Sequence, residues 1–315
     1  MTGAPLPRGA DAVVRLEHTA GNDNGAVVIE HAVVAGSDVR PAGEDVRRGD
    51  TVLGSGTVLR PAEIGMLAAL GRPAVSVVPR PRVAIVTTGG ELVDPGDPVA
   101  PGQIRDSNRH SLAAQVAISG GSVCLTPRVA DDIGAVEQAL GECSRADLIL
   151  TSGGVSVGDF DVVKDGIARM GCIHFSKVAV RPGKPLVFGE IGGKPVFGLP
   201  GNPVSGMVAF EVFVRPALDQ MRGLPPRQRS TGRLAQPVEH KAGRRTYLRA
   251  RAAADDRDAV VHPVSVQGTG QISSLTDANC LAVIPEDRNR LEPGESVEII
   301  WLWPDANAHM GLQAP

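Results

Sequence analysis

The chain has 315 residues, a formal net charge of −3, 42% hydrophobic residues and 21% charged residues. That length exceeds one ordinary domain and predicts two or three, and the hydrophobic content disfavours a disordered chain. With no basic field and only nine aromatic residues, neither phosphate-polymer binding nor a base-stacking platform is supported, so no nucleic-acid partner is expected.

Residues 1–79 read as the remnant of a β-rich and linker region. "ADAVVRLEHT", "NGAVVIEHAVV" and "VRRGDTVLGSGTVL" suggest strands separated by turns. "RPAEIGMLAALG" predicts a helix that starts at Pro61 and stops at Gly71. Residues 80–222 alternate strands and helices. The strands are "RVAIVTT", "SVCLTPRVA", "ADLILTS" and "CIHFSKVAV", and the helices begin at "SLAAQVAIS", "IGAVEQALGEC" and "DVVKDGIARM". A hairpin follows, turning at Gly192 and Gly193, then a long apolar helix, "PVSGMVAFEVFVRPAL". The pattern predicts an α/β domain of three layers, with a mostly parallel sheet between helices. "RGLPPRQRSTG" reads as a linker. Residues 226–303 carry short strand-like runs without a helical period, which predicts a small C-terminal β-barrel. Residues 304–315 read as a frayed tail.

Four cysteines, Cys124, Cys143, Cys172 and Cys280, are widely spaced and read as buried cytosolic thiols, with neither a zinc site nor a disulfide frame. No apolar stretch is long enough to span a membrane and no basic-then-apolar leader opens the chain, so no membrane and a cytoplasmic location are expected. Of 32 basic residues only five are lysines, and four of those fall between Lys164 and Lys194. Chance clustering and sites that want a compact ammonium both fit that pattern.

In an open parallel sheet, ligands bind beyond the carboxyl ends of the strands. Those loops hold Gly89-Gly90-Glu91, then Asp106-Ser107-Asn108, Asp131-Asp132, Gly153-Gly154-Val155-Ser156, Arg181-Pro182-Gly183-Lys184-Pro185, and Pro200-Gly201-Asn202-Pro203-Val204-Ser205. Glycines let backbone N–H groups close on an anion. Carboxylates hold divalent cations or move protons, and lysines bind oxyanions as point charges. Each residue also has a plainer reading. Asp161, Asp106 and Ser107 are in helix-cap positions, a lone Gly-Gly is an ordinary turn, Pro200 and Pro203 can simply start a helix, and Glu91 can be a solvated carboxylate. The convergence of several such loops on one edge favours a site.

The strings "TTGGEL", "GQIRDSNRHSL", "DLILTSGGVSVGDFDVVK", "KVAVRPGKPLVFG" and "GLPGNPVSGMV" resemble the molybdopterin molybdenumtransferase family, which includes the MoeA, gephyrin E-domain and Cnx1 E-domain proteins. The resemblance runs over nearly the whole chain. It implies insertion of molybdate into adenylyl-molybdopterin with release of AMP, and Mg²⁺ as the metal. It implies Glu91, Asp131, Asp161, Lys177, Arg181 and Lys184 as catalytic residues, with Glu91 and Asp161 also toward the metal. Asp106, Ser107, Asn108, Gly153, Gly154, Val155, Ser156, Pro185, Pro200, Asn202, Pro203, Ser205 and Arg249 would bind the pterin and molybdate, and Asp45 matches a further acidic position. A homodimer is implied, along with contacts to a molybdopterin adenylyltransferase and to recipient molybdoenzymes. The sequence departs from the family pattern at Gly90, where Asp is usual, and at Arg181, where several relatives have Lys. Met1 aligns with an internal Met of the family, so the preceding "NSAMDGYA"-type segment is absent from this sequence, through either a misassigned start or a truncation. In the family that segment belongs to an elongated domain, and a second subunit completes the cleft. Two alternatives stand beside the insertase reading: a catalytically incomplete binding module, and a molybdopterin adenylyltransferase. The second fits less well with a β domain after residue 232.

Overall fold

The computed structural model describes residues 3–21, 25–155, 161–227, 230–254 and 259–303. The expected tail, residues 304–315, lies outside them. The chain divides into two compact units, Met1–Val75 and Ser76–Pro315.

The first unit holds a short hairpin, β1 (Thr19–Gly21) and β2 (Val27–Ile29), paired antiparallel with Thr19 opposite Ile29. Helix α1 (Pro61–Ala69) begins with proline in its first turn, as the sequence predicts. Arg60 N–H donates to the Glu63 carboxylate at 2.8 Å and so closes that end. Residues 46–59, read from the sequence as strand and turn, form turns without a strand, and most of 31–45 is likewise irregular. A strand needs a partner ladder and a face to bury. Val27, Val28, Ile29 and Val34 are all exposed here.

The second unit starts with β3 (Arg82–Thr88), β4 (Leu92–Val93), β5 (Ile104–Arg105), α2 (Ser107–Ile118), β6 (Ser122–Leu125), β7 (Arg128–Val129) and α3 (Ile133–Glu142). It continues with β8 (Leu148–Ser152), α4 (Val162–Met170), β9 (Cys172–Ser176), β10 (Val180–Arg181), β11 (Val187–Ile191), β12 (Lys194–Leu199), α5 (Pro203–Ala209) and α6 (Arg215–Met221). The central sheet runs β6-β3-β8-β12-β11-β9, with β7 also on β3. Pairings from β6 through β12 are parallel, while β11 is antiparallel to both β12 and β9. Helices cover both faces. Phe210, Leu112 and Leu218 pack on Ile85 and Leu150 on one side, and Val136, Leu140 and Ile167 pack on Val86 and Ile149 on the other. The runs at 83–88 and 148–152 are buried on both faces, as a sheet sandwiched between helices requires.

Three expected elements are interrupted. "SVCLTPRVA" breaks between β6 and β7 at Pro127, which has no N–H for a ladder. "CIHFSKVAV" breaks at Lys177, which takes the left-handed φ of 66°. Beyond it β10 leaves the central sheet and pairs in parallel with a barrel strand. The long apolar helix contains a wide π turn, Phe210–Val214, between α5 and α6. A proline within a helix presses on the carbonyl four residues back; for Pro216 that residue is Val212, inside the wide turn.

The remaining elements are β13 (Ser230–Leu234), β14 (Val238–Glu239), β15 (Arg245–Ala254), β16 (Ala259–Pro263), α7 (Ser273–Thr276), β17 (Cys280–Ile284), β18 (Arg290–Leu291) and β19 (Ser296–Trp301). The order β15-β16-β13-β19-β17 closes back on β15, giving the expected small barrel. The short helix α7 is an addition to the sequence reading. Inside the barrel, Leu234, Ala252, Val261, Ile284 and Val297 form a core. A second cluster joins the barrel to α5 through Val204, Val208, Tyr247, Leu275 and Leu281. Only Cys143 and Cys280 are buried. Cys124 and Cys172 are exposed, contrary to the sequence reading, because they lie on β6 and β9, the two outermost strands of the sheet.

Candidate functional site

Because β3, β8 and β12 run parallel, their carboxyl ends share one edge of the sheet. Strand β9 ends there too, since Val187 lies opposite both Gly198 and Ser176. The loops after these strands therefore form a rim.

The first part of the rim surrounds the end of β3. Gly153 (φ 93°) leaves no room for a side chain: a Cβ there would lie 2.6 Å from the Thr88 carbonyl oxygen. Asn108 Nδ2 donates to Ser152 Oγ at 2.8 Å and to the Gly201 carbonyl at 2.7 Å. Both of its N–H groups are thus spent on tying together three loops, which leaves its carbonyl oxygen for a ligand. Asp106 is buried. One oxygen caps α2 by accepting Arg109 N–H at 3.0 Å, and the other accepts Thr87 Oγ–H at 2.7 Å. The plain capping reading of Asp106 thus describes its geometry. Ser107 opens α2 on the exposed side. The Glu91 carboxylate folds back over Gly89, whose Cβ position it would contact at 2.8 Å. Asp131 is exposed just beyond β7, where Gly89 N–H donates to the Val129 carbonyl at 3.2 Å.

The second part is a shallow pocket lined by Val155, Asp161, Lys164, Ser176, Lys177, Pro185, Leu186 and Val187. Asp161 caps α4 by accepting Lys164 N–H at 3.0 Å. Burial raises its carboxyl above the ordinary aspartate value, against the opposing pull of that hydrogen bond and of Lys164 and Lys177. Lys177 N–H donates to the Leu186 carbonyl at 2.8 Å, and Val178 N–H to the Lys184 carbonyl at 3.0 Å, so the loop carrying both lysines closes on itself. Ser156 lies outside the described residues.

The third part joins the sheet to the barrel. Strand β10 sets Arg181 opposite Thr246, three residues before Arg249 on β15. Arg249 is 1% exposed. Its Nε donates to Ser274 Oγ at 3.2 Å, and its Nη2 to the carbonyls of Gly268 at 3.2 Å and Val266 at 3.4 Å. All three acceptors are neutral. Burial, together with repulsion from Arg181, lowers its guanidinium to about 10. Ser205 is buried in α5, its carbonyl 3.7 Å from where a Cβ on Gly183 would lie. Val204 N–H donates to the Thr269 carbonyl at 3.1 Å, fixing this helix to the barrel loop. Pro200 leads into it, Asn202 is its N-cap without a side-chain cap bond, and Pro203 is its first residue.

The loops after β3, β8 and β9 carry Glu91, Asp106, Asn108, Gly153, Gly154, Val155, Asp161, Lys177, Lys184 and Pro185, while Arg181, Ser205 and Arg249 lie where the sheet meets the barrel. Asp45 belongs to the first unit. Among the described residues, no three histidine, cysteine or acidic side chains cluster closely enough to hold a metal ion by themselves. Sequence reasoning missed Gln267 and Ser274, which bond Arg249, and Thr269, which bonds the start of α5. The run "QGTGQISS" has turn composition and no charge, so nothing chemical marked it.

Comparison with known proteins identifies the class of this fold. Residues 84–220 match the model "Probable molybdopterin binding domain", residues 1–71 the "MoeA N-terminal region (domain I and II)", and residues 231–302 the "MoeA C-terminal region (domain IV)". Molybdopterin molybdenumtransferase 2 of Mycobacterium tuberculosis is 39% identical over 308 residues, covering 95% of this chain and 75% of that protein. Molybdopterin molybdenumtransferase of Haemophilus influenzae is 33% identical over 306 residues, covering 95% and 75%. The crystal structure of a molybdopterin biosynthesis MoeA protein from Pyrococcus horikoshii OT3 superposes with a TM-score of 0.75 at 29% identity, over 95% of this chain and 73% of that one. The chain belongs to the molybdopterin molybdenumtransferase family, enzymes of molybdenum cofactor biosynthesis.

Proposed function

We propose that this protein inserts molybdate into adenylyl-molybdopterin and releases AMP. One observation carries the reading: Arg249 is a buried cation whose hydrogen-bond partners are all neutral, with a second guanidinium, Arg181, close enough to repel it. A buried charge is costly unless paired. A small doubly charged oxyanion would supply the missing counter-charge, and Ser205, Lys184 and Pro185 would be its further partners. The Gly153-Gly154 turn, Val155, Asp161 and Lys177 would hold the pterin end, with the glycines giving the backbone room to approach a phosphate. Lys177, Lys184 and Arg181 would then stabilise charge on the adenylyl phosphate as AMP leaves.

The family implies Mg²⁺, and the residues present suit it. Magnesium keeps most of its waters and takes only one or two protein carboxylates beside substrate phosphates. Glu91 and Asp161 would hold the ion, which would neutralise phosphate charge. Asp131 would serve as a further acidic group at the same edge. The reading includes a homodimer, a cytoplasmic setting, and exchange with a molybdopterin adenylyltransferase and recipient molybdoenzymes.

The test is AMP release from adenylyl-molybdopterin by the purified chain, with and without molybdate. Release that requires molybdate is expected. Release independent of molybdate overturns the reading, and pterin binding with no release in either case identifies a binding module instead.

A further inference from the structure

The side chain of Gln267 spends both of its donors and one acceptor position on backbone. Its Oε1 accepts Arg249 N–H at 3.2 Å, and its Nε2 donates to the carbonyls of Arg249 at 2.9 Å and Val264 at 2.8 Å. Val264 N–H returns a bond to the same Arg249 carbonyl at 2.9 Å. The amide therefore clamps the backbone of β15 at Arg249 to the chain leaving β16. That chain goes on to present the Val266 and Gly268 carbonyls to Arg249 Nη2, and the Thr269 carbonyl to Val204 N–H at the start of α5.

We infer that Gln267 is a positioning residue for oxyanion binding. It sets the loop of residues 264–269, and through that loop it fixes both the plane of the Arg249 guanidinium and the seat of the α5 turn that carries Ser205. The inference rests on the proposal that Arg249 and Ser205 meet molybdate. A guanidinium is a rigid planar fork, so its value to a small anion depends on orientation as well as charge. Only an amide fits this position. A carboxylate would face two carbonyl oxygens with no hydrogen to offer, and a thioether would make none of the bonds.

Gln267→Met and Gln267→Glu test this in the full chain. The glutamate variant keeps the size of the side chain and the bond from Arg249 N–H, so it carries the test if the methionine variant does not fold. In molybdate-dependent AMP release, each variant is expected to raise KM for molybdate about tenfold. The kcat at saturating molybdate and KM for the pterin substrate are expected to stay within about twofold. Equilibrium dialysis with radiolabelled molybdate is expected to show the same loss of affinity without catalysis. An unchanged molybdate affinity in a folded variant overturns the inference. So does a parallel change in kcat and in KM for both substrates, which would mark general disruption. If wild-type protein retains no molybdate in dialysis, the proposed function of this site fails, and the inference fails with it.

Discussion

The central sheet and the first unit are written in similar residues and end differently. Both contain valine-rich runs bounded by glycine. In the sheet, "VAIVTT" and "LILTS" are closed to solvent on both faces, by α2, α5 and α6 on one side and by α3 and α4 on the other. In residues 3–75, "VVIE" and "VRRGDTVLGSGTVL" yield a three-residue strand and a series of turns, and among the described residues of that unit Glu63 alone reaches a buried position, still 9% exposed. An apolar run becomes a long strand when helices of the right period stand on either side of it in the sequence. A run without such neighbours stays exposed and largely irregular.

Four experiments sharpen or break that contrast. Leu150→Ala, at the middle of β8, is expected to destabilise the second unit by about 2–5 kcal/mol, read by denaturant unfolding. A loss no larger than that of an exposed valine would break the comparison. Arg249→Met separates burial from stability. The residue is as enclosed as any core leucine, yet replacing a buried unpaired charge by an apolar side chain is expected to leave unfolding stability unchanged or raised. Molybdate-dependent AMP release is expected to fall about 100-fold.

Glu211 offers a pH test of the covered face. It is buried against α2, bonded by Gln115 at 2.7 Å and paired with Arg215. Burial raises its carboxyl from 4.5 to about 7, outweighing the Arg215 charge. A carboxyl whose folded value is raised binds its proton more tightly in the folded protein. It therefore favours folding below about pH 4.5, and that contribution is lost as pH rises through about 7. Glu211→Gln is expected to flatten the fall in stability across that window, measured by unfolding at a series of pH values; an unaltered slope would contradict the assignment. The smallest effect is expected from Val28→Ala in the hairpin of the first unit, within about 0.5 kcal/mol. A larger loss in thermal unfolding would show that this exposed valine is not idle.

Much of the rim was legible because its chemistry is local. Glycine pairs, acidic residues and lysines announce themselves at strand ends, and alternating helices and strands dictate that those ends share an edge. The connections between layers were less legible. The break at Lys177 depends on one residue taking a left-handed φ, which a β-branched run such as "SKVAV" does not advertise. Thr269 acts through its backbone carbonyl and Ser274 through a single hydroxyl, while the Gln267 amide acts only on backbone groups of distant residues, a partnership residue type does not announce. The caps at Asp106 and Asp161 were foreseen as one of two readings, and the geometry gives both residues that task whatever else they do.

The two-residue strand β10 has a mechanical consequence. Its pairing with β15 makes the lysine-bearing loop of the sheet an extension of the barrel wall, so Arg181 and Arg249 ride on one ladder. The same wall is held to α5 by Val204 N–H on the Thr269 carbonyl at 3.1 Å, so the two guanidinium groups and the turn carrying Ser205 share one framework.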